Sequence, residues 1–167
     1  MLRTLILFFA MTLATMSMAA DDRYDSLMKA AVGKPSVQIL EDAEKAAKQK
    51  DERKALVLYM VVCNRSRTAT TEQDKASCAL AYLRSGDIYY WRGHDAKALS
   101  LYLQGHKICE STKEKRKIIE FYKCFGNVYC MFKEYAQAVK YYERGYELRN
   151  QYPDPVITYR LLNNLCH

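Results

Sequence analysis

The chain of 167 residues has no Cys-x-x-Cys pair and no cysteine at ligand spacing from any of its three histidines. That argues against a metal centre or redox motif, and no cofactor is expected. His94, His106 and His167 have no acidic or nucleophilic neighbour at catalytic helical spacing. They read as solvated surface histidines and the chain as a non-enzyme, because general acid–base work needs a positioned partner. The six glycines form no phosphate-cradling loop. Positive charge exceeds negative by 7, yet it is scattered. Only Lys113-Glu114-Lys115-Arg116-Lys117 makes a run, the pattern of a solvated first helical turn rather than a nucleic-acid patch.

What the chain does have begins at its amino terminus. Arg3 precedes the apolar stretch Leu5 to Ala14, and Ser17-Met18-Ala19 supplies small residues at a cleavage site. That is the plan of a secretory signal peptide, residues 1–19, removed to leave a start near Ala20 or Asp21. The competing reading is an uncleaved anchor, since Thr4 to Ala20 carries no charge. No cysteine near the cut suggests a lipid anchor. The expectation is an exported, periplasmic protein, attached to a membrane only if this segment is retained or the protein continues into a span. Residues 20–167 are apolar enough to bury the core of one domain.

The informative pattern is internal repetition. At an offset of 40, Tyr82, Gly86, Tyr89, Ala98, Tyr102 and Gly105 recur as Tyr122, Gly126, Tyr129, Ala138, Tyr142 and Gly145. The first three of each set fall on one face of a helix and the last three on one face of a second, with a break between that Gly93 supplies in one copy. Glycine inside a helix costs about 1 kcal/mol relative to alanine, so its recurrence marks a packing requirement. Thr71-x-x-Asp74 and Ser111-x-x-Glu114 place the starts of the first helices as capping boxes. A degenerate earlier copy holds Ala43 and Ala46 with Ala55 to Tyr59, preceded by a short helix ending at Gly33-Lys34-Pro35. Asp154-Pro155 opens a last helix carrying Leu162, Leu165 and Cys166. The expected fold is an all-α helix-turn-helix repeat solenoid, with repeats at 36–68, 72–110 and 112–151 and a partial fourth at 154–167. The uncovered apolar face of that last helix leads us to expect the chain to be the amino-terminal piece of a longer array.

The pattern of aromatic, small, aromatic followed by Ala, aromatic, small resembles the tetratricopeptide repeat. The resemblance implies that Gly86 and Gly126 let the first helix of each repeat approach the second near Ala98 and Ala138. It implies a concave groove lined by Leu83, Asp87, Tyr90, Trp91, Lys123, Asn127, Cys130, Met131, Arg160 and Asn163. It further implies a protein or peptide partner, with no nucleic acid bound through this segment. Trp91 reads equally as a peptide anchor or as packing against the neighbouring repeat. Lys123, Asn127 and Asn164 fall where some members grip a terminal carboxylate. The alternative function is the sensory part of a longer membrane-bound regulator with a downstream transmembrane helix and DNA-binding domain. Of the six cysteines, Cys63 and Cys78 are the best placed for a disulfide.

Overall fold

A computed structural model describes residues 24–112 and 115–151. The signal-peptide reading, the last helix with Arg160, Asn163 and Asn164, and Glu114 of the second capping box lie outside those residues. The described chain is all-helical: α1 (residues 24–32), α2 (Ser36–Lys48), α3 (Glu52–Asn64), α4 (Glu72–Trp91), α5 (Asp95–Glu110), α6 (Lys115–Met131) and α7 (Tyr135–Gln151), with a 3-10 turn at Arg65–Arg67. From α2 onward each helix packs on its neighbours in sequence, and α2 also touches α4.

Helical spacing of small and apolar residues decides which faces are buried. On α2 these are Ser36, Ile39, Ala43 and Ala46. On α5 they include Ala98, Tyr102 and Gly105, and on α7 Ala138, Tyr142 and Gly145, the same places forty residues later. In contrast, α4 buries Ser77 to Ala79, Ala81 to Leu83, Ser85 and Gly86, almost its whole circumference at mid-length, because it lies against α3, α5 and α2 together.

The three hairpin turns are built alike. Lys50, Gly93 and Lys133 have φ of 61°, 73° and 61°. The amide after each donates to a carbonyl five residues back: Asp51 to Ala46, His94 to Tyr89 and Glu134 to Tyr129, at 3.0, 2.9 and 2.9 Å. The left-handed residue's own amide donates to Ala47, Tyr90 or Cys130. This is a Schellman ending, in which one left-handed residue closes two orphan carbonyls. Two of the three positions hold lysine, which pays for that conformation where glycine does not.

One of the two expected helix starts lies within the described residues. Thr71 does cap α4, its Oγ1 accepting from Asp74 N at 3.0 Å and donating to Asp74 Oδ2 at 2.7 Å. Ser111 closes α5, its hydroxyl donating to the Ile108 carbonyl at 2.8 Å; its expected capping box reaches Glu114, outside the described residues. Helix α1 is held by Arg65, whose guanidinium donates to the carbonyls of Val32 and Lys34 at 2.7 Å and of Ala31 at 3.3 Å. A cation there also complements the negative end of the helix dipole.

Among the described residues the disulfide candidates Cys63 and Cys78 are not bridged, nor are Cys109, Cys124 and Cys130. Cys78 Sγ donates to the Val62 carbonyl at 3.3 Å, so it is engaged by the α3 backbone. Burial pushes the thiols of Cys63 and Cys124 up to about 12 and that of Cys78 up to about 11.

Candidate functional site

One contact recurs in all three hairpins. The hydroxyl of a buried tyrosine on the second helix donates to a polar side chain fifteen residues earlier on the first. Tyr59 reaches Glu44 Oε1 at 3.0 Å, Tyr102 reaches Asp87 Oδ1 at 2.9 Å, and Tyr142 reaches Asn127 Oδ1 at 2.8 Å. Each acceptor follows a small residue: Ala43, Gly86 and Gly126. The two glycines form a notch through which the ring passes. A Cβ built on Gly86 would lie 2.6 Å from Tyr102 Cδ1, and one on Gly126 equally 2.6 Å from Tyr142 Cδ1. The glycines therefore make room for the tyrosine rings, and Ala98 and Ala138 on the same second helices are fully buried. Gly105 serves the joint between hairpins, where a Cβ would lie 2.8 Å from Phe121 Cε1 and 2.9 Å from Tyr82 Cβ.

The acceptors are linked across helices. Arg84 Nε donates to Glu44 Oε1 at 3.0 Å, and Arg84 Nη1 lies 3.5 Å from Asp87 Oδ2, so one guanidinium joins carboxylates of α2 and α4. Burial pushes Arg84 down, but Glu44 and Asp87 outweigh it and hold the guanidinium above its ordinary value. Burial raises the Asp87 carboxyl above the usual range, against the opposing effects of the Tyr102 hydroxyl, Arg84 and Lys123. Burial, and then the Glu44 charge, raise Tyr59; burial raises Tyr102 and Tyr142 as well. Glu44, Arg84, Asp87, Lys123 and Asn127 thus form a row of half-buried polar groups across α2, α4 and α6, signs alternating along its charged members.

The structure sorts the expected groove residues. Asp87, Lys123 and Asn127 stand in the row, with Lys123 Nζ 3.9 Å from Glu120 Oε2. Cys130 is next to it, its Sγ 3.7 Å from Tyr142 Oη. Leu83 does not belong: it is 3% exposed and packs in the core with Tyr102, Phe121 and Phe125, because α4 is covered on nearly all sides. Tyr90 is half-buried and meets Trp91 edge-on, ring centroids 5.5 Å apart. Trp91 is 83% exposed, which removes the core reading, and Met131 is 55% exposed. The sequence reading missed Glu44, Arg84 and the tyrosine hydroxyls. The constant interval of fifteen from Glu44 to Tyr59, Asp87 to Tyr102 and Asn127 to Tyr142 was the available signal.

His106 also needs correction. It is not a solvated surface residue: its ring lies 5.2 Å from Tyr122, 5.4 Å from Phe125 and 6.2 Å from Phe121, and among the described residues its buried Nε2 has no hydrogen-bond partner. It does have an acidic neighbour one turn on, Glu110, with Nδ1 3.7 Å from Oε2. Burial lowers its pKa despite that carboxylate. Among the described residues no group of His, Cys, Asp and Glu is arranged to hold a metal ion, and no helix is long and apolar enough to cross a membrane. Neither the protein-family models nor the curated proteins searched contain a match to this chain.

Proposed function

We propose that the chain is a non-enzymatic helical-repeat scaffold of the tetratricopeptide type that holds a protein or peptide partner outside the cytoplasm, on the face carrying Glu44, Arg84, Asp87, Lys123 and Asn127. The observation that carries this reading is the threefold tyrosine contact. Each hydroxyl fixes a polar side chain at the margin of the core, so the row is displayed in a set geometry instead of sampling rotamers in water. Preorganised polar groups of both signs suit a peptide, whose amides, carbonyls and side chains offer donors and acceptors in sequence. The like-built turns and the glycine notches support the repeat reading, and in that reading the row faces the concave groove.

The test is site-directed photo-crosslinking in the expressing cell. A photoreactive residue at Glu41 or Glu120, beside the row, is expected to give a discrete adduct that Arg84→Ala or Lys123→Ala abolishes. The same residue at Met60 or Leu103, exposed on α3 and α5, is expected to give none. Equal adducts from all four positions, or adducts indifferent to Arg84→Ala, would refute the assignment.

A further inference from the structure

The row of polar groups is one surface; the end of the molecule formed by the three hairpin turns is another, with different chemistry. Contacts between turns place them side by side. Arg92, after α4, pairs with Glu52, the first residue of α3, at 2.8 Å. Phe132, after α6, lines a cleft with Gly93, His94 and Lys97. Three of the four large aromatic side chains left exposed among the described residues belong to this end: Trp91 at 83%, Tyr135 at 62% and Phe132 at 38%, with Tyr146 the exception. Met131, at 55%, joins them.

Charge at this end is mainly positive where it is exposed. Lys48, Lys50, Lys97 and Lys133 are exposed, whereas Glu52 is matched by Arg92, Asp51 and Asp95 are half-buried, and Glu134 is the remaining exposed acid. Amphipathic aromatics beside lysines are the composition of a surface that sits at lipid headgroups, with rings at the interface and ammonium groups on anionic lipid.

A second observation selects the same end. The Tyr24 ring lies under the Arg53 guanidinium, 5.6 Å from it, and shares a cleft with Asp51 and Lys54. The chain before Tyr24 therefore joins the domain at the hairpin-turn end, and it contains the apolar stretch Leu5 to Ala14. The ten residues from Ala14 to Tyr24 reach at most about 35 Å. While that segment is attached and in a bilayer, this end stays within about 35 Å of the lipid.

We propose that the hairpin-turn end, with Trp91, Met131, Phe132 and Tyr135 ringed by lysines, docks on the surface of an anionic lipid bilayer. This does not depend on the partner-binding row, which lies along the helices and not at their ends.

Trp91 is the single tryptophan of the chain, so its fluorescence reports this end alone, even where the amino-terminal segment binds lipid by itself. The full chain is mixed with vesicles of three parts phosphatidylcholine to one part phosphatidylglycerol, with and without brominated acyl chains. The expected result is a blue-shifted Trp91 emission that brominated lipid quenches. Lys50→Glu with Lys133→Glu is expected to weaken the lipid concentration dependence of that quenching tenfold or more, since each lysine near such a surface contributes roughly a fivefold factor. Vesicle-bound protein whose Trp91 emission stays water-like and unquenched overturns the proposal, as does failure to bind. A blue shift that follows protein concentration and ignores lipid also overturns it, and assigns this end to a second copy of the chain.

Discussion

Replacing Gly86 by alanine tests the notch directly, because two effects of opposite sign are set against each other. Alanine in a helix interior is worth about 1 kcal/mol over glycine, so at an open position the substitution stabilises. At Gly86 the new methyl would sit 2.6 Å from Tyr102 Cδ1. The ring is 2% exposed and its hydroxyl is bound to Asp87 at 2.9 Å, so it cannot swing aside without losing that bond. Overpacking costs about 1–3 kcal/mol, and a hydrogen bond to a charged group contributes about 1.5–3 kcal/mol. Less the helix gain, the net loss is about 1.5–5 kcal/mol. Urea denaturation followed by far-ultraviolet circular dichroism measures it, with Gly33→Ala, where nothing lies within 4 Å, as the control expected near zero. In a Tyr102→Leu background the same Gly86→Ala change is expected to cost less than about 0.5 kcal/mol or to stabilise, since the ring it meets is gone. Wild-type-background Gly86→Ala that gains stability would refute the notch.

Three further expectations follow from the same contacts. Lys133→Gly or Lys50→Gly relieves a left-handed lysine and should add about 1 kcal/mol, read as a rise of about 2–4 °C in Tm, whereas Gly93→Ala should lower Tm comparably; unchanged Tm in all three would show the turns to be unstrained. The folded pKa of His106 is depressed below its ordinary 6.5, so the native state binds fewer protons and stability is lost as pH falls through and below that value; His106→Leu should flatten the urea midpoint between about pH 7.5 and 5, and an undiminished slope would count against it. Asp87 is raised above its ordinary 3.8, so its contribution is fully present below that pH and lost as pH rises through the folded pKa; Asp87→Asn keeps an acceptor for Tyr102, as Asn127 does for Tyr142, and should raise neutral-pH stability and remove that slope.

The hairpins were legible in the sequence because their determinants are local. Tyr82, Gly86 and Tyr89, followed by Ala98, Tyr102 and Gly105, name two helix faces, and their recurrence forty residues on names them again. The left-handed turns were half legible: Gly93 announces itself, while Lys50 and Lys133 carry no such signal and emerge only by aligning them on Gly93. Leu83 was misplaced because one step around a helix separates a groove from a core, and which step is buried depends on how many neighbours α4 has. Glu44 and Arg84 are joined at a separation of forty residues. Periodicity pairs Glu44 with Asp87, but does not show that the guanidinium of Arg84 spans from one repeat to the next.

The five unbridged cysteines among the described residues, four of them buried, have a consequence for how the protein is lost rather than how it is held. Folded, the raised thiols of Cys63, Cys78 and Cys124 are poor nucleophiles, protonated at neutral pH and shielded from disulfide reagents. Unfolded, all become ordinary thiols at once. In an oxidising compartment every opening of the chain then starts a race between refolding and disulfide formation among partners that never meet in the native state. Each lost race is irreversible. The lifetime of the protein there is governed by its unfolding rate, and a reductant that leaves the native fold untouched should lengthen it.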